Sequence, residues 1–118
     1  MRLGEVSFGE ARPIDGYGPG FFRVGGAVLH GAVLVRAAGA QLWGGYTETA
    51  PLLALAGEVD VILVGTGDVI VHLPEGFRAV IEARGIGVEA MASPAAARTY
   101  NVLLAEGRRI AAALLPVG

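Results

Sequence analysis

The sequence predicts a single α/β domain, and three observations lead to this prediction. Three apolar runs in the second half of the chain alternate with two helix-like segments that each end at a glycine; the runs cover residues 59–64, 87–91 and 109–115. The first half instead holds short β-type runs separated by glycines. A length of 118 residues is ordinary for one domain with one core. We therefore expect one domain over residues 1–118.

Composition narrows the class of protein. Hydrophobic residues make up 53% of the chain and charged residues 17%, so the chain can bury enough apolar surface to offset the entropy lost on folding. The apolar runs stay well short of the ~20 residues that a membrane-spanning helix needs. The first residues start no signal-peptide pattern, because no apolar stretch follows them. We expect a cytoplasmic protein without a transmembrane segment.

Several kinds of site are excluded by residue types that the chain lacks. It has no cysteine, which excludes disulfides, thiolate nucleophiles and cysteine-based metal sites. All nine basic residues are arginines, so no lysine is available for a Schiff base or a P-loop. A net charge of -2 without a basic run gives no electrostatic footprint for nucleic acid. We expect no cofactor, no metal and no nucleic-acid partner.

The first half is typical of β structure. Its apolar and β-branched runs cover residues 3–8, 21–24, 28–36 and 41–43. Gly25–Gly26 and Ala38–Gly39 are typical of hairpin turns, and Gly31 inside the long third run indicates a bulge. A meander is the simplest topology for these strands.

Three helices are expected. The first is short, begins at Thr47 or Thr49 and continues through Ala56. The second covers residues 74–85 and the third residues 93–106. The apolar faces that we expect to be buried comprise Phe77, Val80 and Ile81 in the second helix and Ala96, Tyr100, Leu103 and Leu104 in the third.

The order of elements in the second half predicts parallel strands. A helix joins the runs at 59–64 and 87–91, so both strands should point the same way and their following loops should meet at one edge of the sheet. Ser93 followed by Pro94 is typical of an N-cap and a first helical turn, which places the start of the third helix at that edge. The pattern leaves the direction of the last strand open.

Gly65-Thr66-Gly67 leaves the carboxyl end of a buried strand, where open α/β sheets place ligand loops. Two glycines allow backbone N–H groups to approach an anion closely. The segment is not a dinucleotide fingerprint, because no third glycine follows at the start of a helix. The alternative is a tight turn that needs a glycine with a positive φ.

Four polar side chains form a candidate ligand site. Arg98 and Asn101 are three residues apart and share a helical face. The third helix starts at the edge that also holds Thr66 and Asp68, so all four side chains can converge on one small polar or anionic ligand. The alternative is a solvated helix face on which Arg98 pairs with Glu106 or a loop carbonyl.

Residues 14–20 combine three glycines and a proline with an aspartate and a tyrosine. We interpret this segment as a loop. An aromatic residue on a rigid loop makes a good anchor for a partner, so Asp15, Gly16 and Tyr17 form a candidate partner-contact loop. The alternative is that Tyr17 merely covers the open end of the sheet.

Other polar and aromatic residues give weaker indications. His30 and His72 lie singly in strand-like runs and are more typical of core or edge positions than of metal ligands. Neither serine lies in a nucleophile elbow, which argues against a serine hydrolase. Trp43 and Tyr46 form either a surface patch or a seal over the core.

A set of short motifs, each weak alone, occurs in a specific order and spacing: Ile14-Asp15-Gly16-Tyr17-Gly18, Phe22-Arg23-Val24, Gly65-Thr66-Gly67, Gly85-Ile86-Gly87-Val88 and Arg98-Thr99-Tyr100-Asn101. From about Ile14 to Pro116 the chain thereby resembles a family of small single-domain proteins of unknown function. The best-known eukaryotic branch of that family is a mitochondrial assembly factor for respiratory complex I, the NADH:ubiquinone oxidoreductase.

The resemblance implies a three-layer α/β fold, with helices on the faces of a mixed central sheet whose last strand is antiparallel, and with an extra antiparallel β layer from the N-terminal half. It implies no catalytic residues. Our first hypothesis is a non-enzymatic interaction or assembly protein, with respiratory NADH dehydrogenase subunits as candidate partners and a homo-oligomer as a compatible state. The alternative is a protein that binds a small anionic metabolite, or an enzyme, at the carboxyl edge of the sheet.

Overall fold

A computed structural model describes residues 11–118. Within that range the chain forms eight strands and three α-helices, with a single 3₁₀ turn at Gly45–Thr47. The strands are β1 (Ile14–Gly18), β2 (Phe21–Val24), β3 (Ala27–His30), β4 (Val33–Arg36), β5 (Gly39–Leu42), β6 (Val61–Gly65), β7 (Gly87–Met91) and β8 (Ile110–Leu114). The helices are α1 (Ala50–Leu53), α2 (Glu75–Glu82) and α3 (Ser93–Ala105).

The strands divide into two sheets. β1, β2 and β3 form an antiparallel sheet of three strands. The remaining five form a mixed sheet in the order β5-β4-β8-β6-β7, in which β6 is parallel to both β7 and β8. The prediction of a mixed central sheet with an extra N-terminal β layer is therefore confirmed, as is the parallel pairing of β6 with β7.

The core has one part on each face of the mixed sheet. Helix α3 and the small sheet cover one face, where Tyr100 and Phe22 are fully buried. Helices α1 and α2 cover the other face, where Leu52 and Ile81 are fully buried. The molecule thus has three layers, as the resemblance implied.

Strand β8 lies in the middle of the mixed sheet and all five of its residues are buried. Its side chains alternate between the two parts of the core, and the three alanines let α3 and the opposite layer approach closely. β8 is antiparallel to β4 but parallel to β6. The implied antiparallel last strand is therefore correct only towards β4, because α3 crosses over from β7 and returns the chain in the direction of β6.

The predicted run 28–36 is in fact two strands in different sheets. Gly31, with a φ of 112°, turns the chain between β3 and β4. A single meander was therefore the wrong topology for the first half. The turn at Gly25–Gly26 is confirmed, whereas the second turn lies one residue earlier than predicted, at residues 37–38. The predicted strand at 3–8 lies outside the described residues.

The helices differ from prediction at their ends and on one face. α1 stops at Leu53 rather than at Ala56. In α2, Phe77 and Ile81 are buried but Val80 is 42% exposed, because the sheet contacts a narrower stripe of this helix than the apolar pattern suggested. In α3 the predicted core face is buried except for Leu103, which is partly exposed.

No helix within residues 11–118 combines the length and the apolar character that crossing a bilayer would require.

Candidate functional site

At the carboxyl end of β6, Thr66 is 8% exposed and its hydroxyl group is fully engaged. Thr66 Oγ1 donates to the carbonyl oxygen of Val69 at 2.7 Å and accepts from the backbone N–H of Val71 at 3.2 Å. The backbone N–H of Thr66 donates to the carbonyl oxygen of Met91 at 2.8 Å. These bonds fold the segment after β6 and hold it against the end of β7.

The two positions on either side of Thr66 require glycine for different structural reasons. Gly67 has a φ of 98°, a conformation that favours glycine. Gly65 packs so closely on α3 that an added Cβ atom would lie 2.6 Å from Ser93 Oγ. The tight-turn interpretation therefore accounts for Gly67, and close packing accounts for Gly65.

Ser93 lies in the first turn of α3, while Ala92 occupies the N-cap position, so the predicted N-cap role of Ser93 is wrong. Its fully buried hydroxyl group donates to the carbonyl oxygen of Leu115 at 2.6 Å and accepts from the N–H of Gly67 at 2.9 Å. Leu115 in turn donates its N–H to the carbonyl oxygen of Gly65 at 2.9 Å. The chain after β8 therefore covers this edge of the sheet.

Asp68 is exposed beside the same edge and accepts hydrogen bonds at 3.2 Å from the backbone N–H of Gly118. The structure thus places Thr66 and Asp68 together at the carboxyl edge.

Asn101 lies on α3 at a distance from that edge, about 12 Å along the helix axis from Ser93. Its side chain binds the backbone of β1 twice: Nδ2 donates to the carbonyl oxygen of Ile14, and Oδ1 accepts from the N–H of Ile14, both at 2.8 Å. Asn101 therefore joins α3 to the small sheet. This bidentate contact was missed because the partner is 87 positions away in the sequence.

Arg98 is exposed on α3, between the edge and Asn101. The alternative pairing with Glu106 is not found among the hydrogen bonds and ion pairs of residues 11–118. Of the four residues in the candidate ligand site, Thr66 and Asn101 are held by internal bonds, Asp68 is exposed but bonded to the backbone of Gly118, and Arg98 is exposed. Binding of a ligand by these four residues remains a prediction.

The predicted contact loop is a strand with a tight turn after it. Tyr17 pairs in register with Phe22 of β2, and the register shifts between Ile14 and Gly16. Asp15 accepts a hydrogen bond at 2.7 Å from the N–H of Gly26, so it fixes the neighbouring hairpin turn. The loop interpretation was wrong because backbone pairing to β2 outweighs the glycine content. The Tyr17 side chain remains 43% exposed, and its role in partner contact remains a prediction.

The aromatic residues near α2 belong to the core. Trp43 is 4% exposed, packs against Phe77 and donates its ring N–H to the carbonyl oxygen of Glu48 at 2.8 Å. Tyr46 stacks edge-on against Phe77, with ring centres 4.9 Å apart. Desolvation by burial raises the pKa of Tyr46 above its ordinary value of 10.0. These rings seal the core rather than forming a surface patch.

One concave feature was not anticipated from the sequence. We call it the β7 groove: a cavity of about 560 Å³ lined by Ile70, Val71, His72, Leu73, Glu75, Arg78 and Ala90. It lies between edge strand β7, the start of α2 and the segment after Thr66. His72 is exposed here, and His30 is exposed elsewhere beside the Phe21 ring. Within residues 11–118, no group of three or more potential metal-binding side chains occurs.

One wall of the β7 groove is apolar and exposed to solvent. Of its lining residues, Ile70 is 63% exposed and Val71 47%, and Val69, which precedes them, is 65% exposed. The only signal in the sequence was the apolar run that continues after Asp68, and such a run normally indicates a buried strand. Here it follows a turn rather than entering the sheet, so its side chains stay in water.

Nearly the whole chain is similar to known proteins. Residues 14–115 match the family described as protein of unknown function, DUF498/DUF598. The chain belongs to this family. An uncharacterised protein of Rhodobacter capsulatus is 54% identical over 113 residues, which cover 96% of this chain and 91% of that protein.

A shorter match is to a protein that is named as an assembly factor. The human protein named NADH dehydrogenase [ubiquinone] 1 alpha subcomplex assembly factor 3 is 40% identical over 58 residues. The matched part covers 49% of this chain and 32% of the human protein, so the chain corresponds to about a third of that relative.

Solved structures support the fold. A Mth938-like domain from Bordetella pertussis is 32% identical, with a TM-score of 0.77 and coverage of 98% of this chain and 92% of that one. A protein from Bartonella henselae described as an outer membrane protein is 33% identical, with a TM-score of 0.83 and coverage of 92% and 97%. The DUF498 chain therefore shares its fold with Mth938-like domains.

Proposed function

We propose that this protein is a non-enzymatic interaction protein that assists the assembly of a respiratory NADH dehydrogenase. The observation that carries the proposal is the 40% identity over 58 residues to a protein named as an assembly factor of that enzyme. Because this match covers part of both chains, the role is a proposal for the present chain and not a transferred identity.

The surface of the molecule supports a role in protein contact. Three consecutive apolar side chains, at Val69, Ile70 and Val71, are each about half exposed or more. Contiguous exposed apolar residues are typical of interaction sites. Tyr17 adds an exposed aromatic residue on β1, within the proposed contact segment Asp15–Tyr17.

The natural partners that we propose are NADH dehydrogenase subunits or their assembly intermediates, met in the cytoplasm at the membrane surface. Cell fractionation that separates cytoplasm, inner membrane and outer membrane tests the location. Recovery of the protein only in the outer-membrane fraction would contradict the cytoplasmic part of this proposal.

The decisive experiment is affinity co-purification of the tagged protein from its native cells after mild cross-linking. Mass spectrometry compares the recovered proteins with those from an untagged strain. We expect enrichment of NADH dehydrogenase subunits. Recovery of the tagged protein alone would contradict the assembly role and would redirect work to metabolite screening, with Arg98→Ala as the test variant for the alternative site.

A further inference from the structure

We propose that β7 binds an extended apolar peptide segment of a protein partner, which adds to the mixed sheet as a sixth strand and lies in the β7 groove with a basic residue near Glu75. The proposal deepens the proposed interaction function and rests on it. It specifies which surface is used, in which conformation the partner binds and what chemistry the partner carries.

The backbone of β7 supplies the hydrogen-bonding groups of this site. β7 is the last strand at one edge of the mixed sheet, and β6 is its neighbour on the inner side. The N–H of Gly87 donates to Asp60, and the carbonyl oxygen of Met91 accepts from Thr66. Because alternate residues of a strand direct their backbone groups to opposite sides, Val88 and Ala90 direct theirs away from β6. Among residues 11–118, the N–H and carbonyl of Ala90 have no hydrogen-bond partner on that side.

The exposed apolar wall is preformed. Thr66 Oγ1 holds both the carbonyl group of Val69 and the N–H of Val71, so the segment that carries Ile70 is fixed at both sides. A partner strand beside β7 would cover these side chains. Binding to a preorganised surface avoids part of the ordering cost of association.

Arg78 protects the edge in the unbound protein. Its guanidinium donates to the carbonyl oxygen of Val88 at 3.1 Å and lies 3.5 Å from the carboxylate of Glu82. Charged side chains placed along an edge strand hinder unspecific strand addition. Since the Arg78 side chain is 39% exposed, a specific partner can displace it without disturbing the core.

The charged side chains around the β7 groove favour a peptide that carries a basic residue. The positive charge of Arg78 already faces Glu82, while Glu75 lines the groove and Glu89 is exposed on β7. These carboxylates favour a peptide with a lysine or arginine. A second copy of this chain is disfavoured, because symmetric antiparallel pairing of two β7 strands about their middle residue would place one Glu89 opposite the other.

The test uses a fluorescein-labelled peptide of eight residues that alternates valine with threonine and carries two lysines. Fluorescence anisotropy measures its binding, and ¹⁵N NMR spectra locate it. We expect saturable binding, with shifts centred on Ala90 and slower hydrogen exchange of its amide. The same peptide with alternate backbone nitrogens methylated should bind at least about tenfold more weakly, because it cannot donate to the edge.

Two matched variants separate this surface from general effects. Ile70→Asp should weaken peptide binding by at least about tenfold, whereas Val102→Asp on α3, with an original side chain that is 57% exposed, should change it by less than about twofold. No shift at Ala90 at millimolar peptide would overturn the proposal. Concentration-dependent shifts of β7 without peptide would overturn it in favour of a second copy.

The same variants applied to co-purification keep the two proposals distinguishable. If wild type recovers NADH dehydrogenase subunits and Ile70→Asp recovers them equally well, the groove proposal fails while the assembly role stands. If the peptide binds at β7 and no such subunit is recovered, the assembly role fails while the groove proposal stands.

Discussion

Individual polar residues in this protein stabilise contacts between elements that are distant in the sequence. Asn101 is the clearest case, because both polar atoms of its side chain bind the backbone of Ile14. Arg98, three residues earlier on the same helix, is exposed. The two residues looked equivalent in the sequence, and the structure separates their roles.

We expect Asn101→Ala to lower the free energy of unfolding by about 2–3 kcal/mol, because the N–H and carbonyl of Ile14 lose their partners in a partly buried position. Urea denaturation measures the change. Asn101→Asp keeps the acceptor but places a carboxylate oxygen against the carbonyl oxygen of Ile14, so it should not restore the lost stability. A loss below about 0.5 kcal/mol for Asn101→Ala would show that water replaces the side chain fully.

Arg98→Ala should change the free energy of unfolding by less than about 0.5 kcal/mol, since an exposed side chain contributes little. Thermal melting of the variant beside wild type provides the measurement. A decrease above about 1 kcal/mol would instead make Arg98 a structural residue and weaken its candidacy for ligand binding.

Tyr100 makes stability depend on alkaline pH. Burial raises the pKa of its hydroxyl group above the ordinary value of 10.0, and this group has no hydrogen-bond partner within the described chain. The neutral form is therefore favoured by folding, so its contribution is complete below pH 10.0 and is lost as the pH rises further. Melting temperatures between pH 8 and 11 should fall at the alkaline end, and less so in Tyr100→Phe. Equal slopes for the two proteins would contradict this assignment.

At the scale of elements, the junction of β6, α3 and the segment after β8 depends on close packing. Gly65→Ala would bring a methyl group within 2.6 Å of Ser93 Oγ and 2.7 Å of the Leu114 side chain. We expect a loss of about 1–3 kcal/mol in the free energy of unfolding. Ser93→Ala should cost a similar amount, because the N–H of Gly67 and the carbonyl of Leu115 would both lose a buried partner.

Gly76 provides the matched control for Gly65→Ala. It lies inside α2, and an added Cβ atom would meet no atom within 4 Å. Gly76→Ala should therefore stabilise the protein by about 0.5–1 kcal/mol, since alanine is the better helix former. Chemical denaturation of both variants tests the pair, and equal effects of the two substitutions would contradict the packing argument.

Periodicity alone predicted the elements that a local pattern determines. The parallel strands β6 and β7 and the helices between and after them follow from apolar spacing and glycine stops. The division of residues 28–36 into two strands at Gly31 does not follow from this pattern. A glycine can either bulge a strand or end it, and the pairing of the flanking residues determines which of the two occurs. The exposure of Ile70 was equally inaccessible, since burial is set by where the turn at Gly67 directs the chain.

The candidate site was predictable only in part. Thr66 and Asp68 were placed correctly at one edge, because loops after parallel strands meet there. The distance of Asn101 from that edge follows from helix rise and was within reach of the sequence. The β7 groove could not be predicted from the sequence, because it depends on an unpaired strand edge that no local pattern reveals.

At the scale of the whole molecule, the strand of the mixed sheet that is synthesised last, β8, lies at the centre of that sheet. Strands β4, β5, β6 and β7 precede residues 110–114 in the chain and therefore leave the ribosome first. Until then the two strand pairs have no common neighbour, because β8 is what joins them. The core therefore cannot close before residues 110–114 have been synthesised, and until then the apolar strands are exposed to aggregation.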